Sequence, residues 1–379
     1  MGTPHRPLLL LLGALAGCAS TASAQPRPQP PAPAVVLLRG APDAPRTAVV
    51  LQRPDAQTPA AVLGSFAHLP SSARHAALLP GAATALPVVL AVAADREAPR
   101  GGSYHSALFR IDPAAGATTR LCGELTDGSR PLITARGTVL VQRGDDGPDA
   151  VPDAVSRRLV ERTDALRLDA VDPATGAART VWSGRGQLAF LAAALRDDEV
   201  LVYHLHDGGS SLLRLDARSG AVAVVHPDLP LARDFSYDAA RDEVVFARAL
   251  SGTVYEVAAL RAHGPASQAI TPRWRASSDH LMPRVLRDGA IGVSLPGDRG
   301  LGWIARGASE QTSPTASAPR GDGSDALLAE SADGRWIALR HTTERDESVV
   351  IAARRNAAAH AIGSPDEVVE FVGFAGGAR

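Results

Sequence analysis

Lysine is absent from this 379-residue chain. All 39 basic residues are arginine, set against 40 carboxylates for a formal net charge of -1. Phosphate binding needs concentrated positive charge, so a near-neutral chain gives no reason to expect nucleic acid as a partner. The arginine bias reads as the mark of a GC-rich genome rather than of a guanidinium-based function. Aromatics are scarce too, at 4%, so any core is built from Ala, Val and Leu. No apolar run approaches the roughly 20 residues of a membrane-spanning helix. Signatures of the G-x-S-x-G, H-E-x-x-H and P-loop types are missing, and with strand-like repeats running close to residue 379 no hydrolase domain is expected after them. What is present is ordinary for a soluble globular protein: 45% hydrophobic and 21% charged residues, with 35 Gly and 29 Pro that imply many turns and short elements.

The N-terminus reads as an address. A weakly basic start (His5, Arg6) leads into Leu8–Ala16, about nine apolar residues, the length of a signal-peptide core. It closes on Leu15-Ala16-Gly17-Cys18, which resembles the bacterial lipobox. The resemblance implies cleavage of residues 1–17 and acylation of Cys18 by chains such as palmitate. These would anchor the protein to a membrane without a spanning helix, at about 0.8 kcal/mol per buried methylene. The next residue is Ala19 rather than Asp, which by resemblance to known sorting rules favours the outer membrane. Residues 18–34, small, polar and Pro-rich, form the tether, and 35–379 the folded domain. With Cys18 acylated, Cys122 has no partner and reads as a buried structural thiol in TTRLCGEL.

The domain carries a repeat. Phe235–Gly264 alternates apolar and polar residues across three strands separated by turns, the period-two sign of antiparallel pairing. A D-P-A-A-G-like turn recurs at 111–116, 171–176 and 215–220. Gly176 to Gly220 is 44 residues, Gly264 follows after 44 more, Gly307 after 43 and Asn356 after 49. A second marker precedes each unit's second strand at Arg136-Gly137, Asp197-Asp198, Arg241-Asp242, Asp288-Gly289 and Asp333-Gly334. Asp side chains hydrogen-bond turn backbones, and Gly or Asn accepts positive φ. A period near 44 made of four short strands is the signature of propeller blades. The expectation is one all-β, seven-bladed propeller of four-stranded antiparallel blades, with six or eight blades as alternatives. Residues 368–375 are expected to supply the first blade's inner strand and so close the ring.

Segments such as Ala332-Asp333-Gly334-Arg335-Trp336, followed by a strand and a turn, resemble the WD-repeat-like blades of the TolB-type periplasmic propellers, loosely over 35–379. The resemblance implies a fold and an interaction habit, and it transfers no catalytic residue.

No catalytic residue, cofactor or metal site is assigned. His204 and His206 lie two apart on a strand, hence on one face, and are the candidates for a metal pair, without a visible third ligand. Arg233, Asp234, His280 and Glu330 are expected to line the central channel. The insertion Asp145–Arg162 does not match a calcium loop and reads as a rim loop. Trp182, Trp274, Trp303 and Trp336 read as strand residues packed between blades. The functional expectation is a membrane-anchored extracytoplasmic binding module with an envelope protein as partner. The alternatives are a metal-dependent lyase or lactonase and a small-ligand or glycan sensor.

Overall fold

The computed structural model describes residues 31–55, 59–70, 73–81, 86–97, 104–126, 129–145, 164–206, 209–229, 231–277, 281–295, 300–305, 314–316, 323–354, 359–363 and 366–376. Every regular element among them is a strand. Cys18, His280, Gly307, Asn356 and all of the insertion but Asp145 lie outside the described residues. So does the unit Met1–Pro31 apart from its last residue; all of the strands belong to the unit Ala32–Arg379.

The first sheet joins β1 (Val35–Gly40), β2 (Arg46–Gln52) and β3 (Ala61–Ala67) to β28 (Val368–Phe374), in the order β28-β1-β2-β3. The second holds β4 (Arg74–Leu78), β5 (Val89–Ala94), β6 (Ser106–Asp112), β7 (Ala117–Leu125), β8 (Leu132–Ile133), β9 (Val139–Asp145), β10 (Asp164–Val171) and β11 (Ala178–Gly186). The third is β12 (Leu188–Ala194), β13 (Glu199–His206), β14 (Gly209–Asp216) and β15 (Val222–His226). The fourth is β16 (Ala232–Asp238), β17 (Glu243–Ser251), β18 (Val254–Arg261) and β19 (Thr271–Ala276). The fifth is β20 (Arg284–Val285), β21 (Ile291–Ser294), β22 (Leu301–Ile304) and β23 (Thr315–Ala316). The sixth is β24 (Ser324–Glu330), β25 (Trp336–Thr342), β26 (Glu347–Ala353) and β27 (Ala359–Ile362).

The arrangement is a propeller, but the expected seven separate blades are not what forms, nor are six or eight. Among the described residues there are five four-stranded sheets and one curled eight-stranded sheet. The cause is local. β8 is two residues long and pairs only with Val139 and Leu140, which leaves the far half of β9 without a neighbour on that side. Glu124, at φ 60°, turns the end of β7 so that Leu125 pairs with Arg143 there. The curl brings the sheet's own halves together over Leu90, Leu108, Val139 and Val141.

Sheets meet face to face because the middle strands are apolar on both sides. Val244 and Phe246 of β17 pack toward the third sheet with Leu201 and Tyr203. Val245 and Ala247 pack toward the fifth with Ile291 and Val293. Alternate residues point to opposite faces, so a run such as EVVFARA serves two interfaces at once. Small and aliphatic residues suffice for this, which explains how 4% aromatics can support the fold. Neighbouring sheets touch through β28–β4, β9–β12, β12–β16, β16–β20, β20–β24 and β26–β28, completing a ring.

The recurring aspartates hold turns. Asp112 Oδ1 accepts from the N–H of Ala114 and Ala115 (3.1 and 3.2 Å), Asp172 Oδ1 from Ala174 (2.8 Å), and Asp216 Oδ1 from Arg218 and Ser219 (3.0 and 2.6 Å). These backbone N–H groups hold all three carboxyls below the ordinary carboxylate range. Gly116, Gly176 and Gly220 take φ of 61°, 77° and 78°, whereas Gly264 does not adopt the left-handed region.

Candidate functional site

Antiparallel meanders put the turn after each innermost strand at one face of the ring and the start of each innermost strand at the other. The two faces carry different chemistry. At the first, side chains tie one sheet to the next. Arg136 donates to Asp197 (2.6 Å), and Thr134 and Thr138 donate to Asp198 (2.8 and 2.7 Å). Arg354 bridges Asp288 (2.5 Å) and Glu330 (2.8 Å), and Glu330 also accepts from the Arg287 N–H (2.7 Å). Glu330, expected in the channel lining, is therefore an inter-sheet latch. Among the described residues it has no part in the opening at the other face.

Between the third and fourth sheets the latch is His263, whose Nδ1 lies 2.6 Å from Asp242 and whose Nε2 lies 2.7 Å from Glu199. The Tyr237 hydroxyl donates to Asp242 (2.9 Å). Burial pushes the Asp242 carboxyl up, but hydrogen bonds from His263 and Tyr237 outweigh it and hold the group low. Burial, with Asp242 beside it, raises Tyr237 to about 12. Below pH 10 folded and unfolded chains both keep the phenol proton; between about 10 and 12 only the unfolded chain releases it, so stability falls there. Asp242 acts at the other end: its contribution is complete above the ordinary carboxylate range and disappears as pH falls through its depressed value. Tyr237→Phe should thus remove an alkaline loss of melting temperature, and Asp242→Asn part of the acid loss. Melting curves from pH 3 to pH 11.5, read at about half-unit steps, test both.

The opposite face opens into a cavity of about 470 Å³. Such a volume suits a ligand or a short run of side chains. Its walls come from the starts of β4 and β28, the β1–β2 turn, and the β25–β26 end of the sixth sheet. Arg74, Arg130 and Arg340 face Glu347 and Glu370 on its lining, and Leu328, Val368 and Phe371 give part of its apolar surface. Arg74 is 6% exposed; it donates to the Pro42 carbonyl (2.9 Å), while its Nη1 has no acceptor among the described residues. Burial lowers its pKa, partly offset by the charge on Glu370. Glu370 itself lies 3.1 Å from His75. Among the described residues Arg340 donates to the Met282 sulfur (3.3 Å), and Arg130 is exposed.

Behind them stands Arg284 at the head of β20, donating to the Phe235 carbonyl (3.1 Å). Burial lowers its pKa, Asp234 opposes that, and the guanidinium groups of Arg130 and Arg340 lower it further. The three arginines therefore share one neighbourhood. Among the described residues none of Arg74, Arg130, Arg284 and Arg340 has a carboxylate within ion-pair distance. Arg233 is engaged, 3.6 Å from Asp234 and 5.6 Å from the Tyr255 ring centre. Of the residues expected in the channel, Arg233 and Asp234 lie near the opening. A sign of the others was available: arginine stands first or second in β4, β16 and β20.

His204 and His206 do come together, with ring centres 5.0 Å apart. His204 Nε2 is engaged with the Arg185 carbonyl (2.9 Å), its ring meets Trp182 edge-on, and burial lowers its pKa. No group of three His, Cys, Asp or Glu that could hold a metal occurs among the described residues. Cys122 is half-buried and burial raises its pKa. Trp182, Trp274 and Trp303 pack against the inter-sheet cores and Trp336 is buried within one. A second cleft, beside Glu243 and Arg273, is only about 10 Å³.

No protein-family profile matches the chain, and no curated protein does. Solved structures do. A puromycin-hydrolyzing peptidase of Mycobacterium tuberculosis is similar at TM-score 0.59 and 14% identity, over 87% of this chain and 53% of that one. TolB from Acinetobacter baumannii is similar at TM-score 0.47 and 11% identity, over 89% of this chain and 65% of that one. An oligogalacturonate lyase in complex with manganese gives TM-score 0.38 and 12% identity, over 62% of this chain and 71% of that one. The chain thus spans less than two thirds of the first two, and at such identities the likeness is one of fold.

Proposed function

We propose that the protein is an exported propeller, tethered to the cell envelope through acylated Cys18, whose open face docks another envelope component without chemically changing it. The observation that carries this reading is the cavity of about 470 Å³ at the channel mouth, walled by Arg74, Arg130 and Arg340, none of which has a carboxylate within ion-pair distance among the described residues. Buried or crowded guanidinium groups without carboxylates destabilise the unliganded protein, and a bound partner would relieve that. The Leu15-Ala16-Gly17-Cys18 motif and the Pro-rich 19–34 supply the tether, with Ala19 favouring the outer membrane. Cys18→Ala should leave the protein unacylated and move it from the membrane to the soluble fraction of its native cell. Unchanged membrane retention would remove the anchor from the account.

A further inference from the structure

On the premise of that docking role, we propose that the channel mouth selects an acidic, aliphatic protein segment. Its carboxylates are held by Arg130 and Arg340, with Arg284 behind them, and its apolar side chains lie on Leu328, Val368 and Phe371. A guanidinium presents five N–H donors in a planar fork that matches a carboxylate with two parallel bonds. Arg340 spends one donor on a thioether sulfur, Arg284 one on a carbonyl, and Arg130 none on any described residue. Arg130 and Arg340 on the lining repel each other, an effect Glu347 and Glu370 offset in part, and anionic groups between the two arginines turn that repulsion into attraction. The chain as a whole is nearly neutral, so this basic character is local.

The walls decide among anions. Aliphatic and phenyl surface offers nothing to the hydroxyls of a sugar acid or to a free phosphate, but it matches leucine-like side chains. Glu347 and Glu370, also on the lining, would repel a continuous phosphate backbone while leaving room for discrete carboxylates. A peptide alternating acidic and aliphatic residues fits both requirements.

The test is fluorescence anisotropy with the full chain in mild detergent. The probe is an N-terminally labelled Leu-Asp-Leu-Glu-Leu-Asp amide, compared with its Leu-Asn-Leu-Gln-Leu-Asn counterpart and with oligogalacturonate as competitor. The acidic peptide should bind at least about tenfold more tightly than the neutral one, and weaken as salt rises from about 50 to about 500 mM. Arg130→Gln with Arg340→Gln should abolish about tenfold of affinity, and the exposed Arg130→Gln alone about threefold, while Arg218→Gln on the opposite face changes nothing. Equal affinity for both peptides, no binding at about 1 mM, indifference to Arg130→Gln, or tighter binding of oligogalacturonate would overturn the proposal. Cys18→Ala protein should bind the peptide as wild type does. A lost anchor with retained binding therefore faults the tether alone, and retained anchoring without binding faults the ligand class alone.

Discussion

Removal of residues 368–379 is expected to unfold the whole ring rather than trim its end. β28 pairs with β1 from Val35–Phe374 to Gly40–Val368, so its loss strips one side of β1 of hydrogen-bond partners. It also opens two apolar interfaces. Val369, Phe371 and Phe374 pack toward the sixth sheet, Val372 and Ala375 toward β5 and β6. Full burial of a large apolar side chain contributes about 1.5–3 kcal/mol, so Val369 with the partly buried Phe371, Val372 and Phe374 represents a large share of an ordinary domain's net stability of about 5–15 kcal/mol. The truncated chain should show no cooperative melt by circular dichroism. A truncation that melts at the wild-type midpoint would mean that the ring closes by other means.

Glu256→Ala should cost about 3–5 kcal/mol, the largest single-residue effect expected outside the apolar core. Glu256 is fully buried, and Arg248 and Arg275 meet its two carboxylate oxygens at 2.7 and 2.8 Å. Its deletion leaves the partly buried Arg248 without a counter-charge, whereas Arg275 is half-exposed and can hydrate. The penalty belongs to the orphaned guanidinium rather than to the lost pair. Replacing both groups, Arg248→Met with Glu256→Leu, should therefore recover most of the loss. Denaturant melts of the two variants decide this: if the double variant is as unstable as Glu256→Ala alone, the explanation fails.

Local regularities made much of the fold legible before any coordinates. EVVFARA announces a strand buried on both sides because alternate residues put Val and Phe on one face and Val and Ala on the other. D-P-A-T-G announces a tight turn because Asp and Gly have backbone roles that do not depend on the rest of the chain. Blade separation is different. Whether β7 stops short of β9 depends on β8 being two residues long and on Glu124 taking a left-handed backbone, neither of which a 44-residue period specifies. The mouth is less legible still. Arg74, Arg130, Arg284 and Arg340 are scattered over most of the chain and meet only because the ring closes, and an all-arginine composition hides them among 39. Glu330 misleads for a related reason: it sits on an innermost strand, but at the end that faces the latches.

Photo-crosslinking in the native envelope addresses the central claim most directly, with a photo-reactive side chain at Val368, an exposed residue of the cavity wall. The account predicts one dominant protein adduct that vanishes when Arg130 and Arg340 become glutamine and is not captured from position 218 on the opposite face. An adduct indifferent to those arginines, or one formed from position 218 and not from 368, would contradict it.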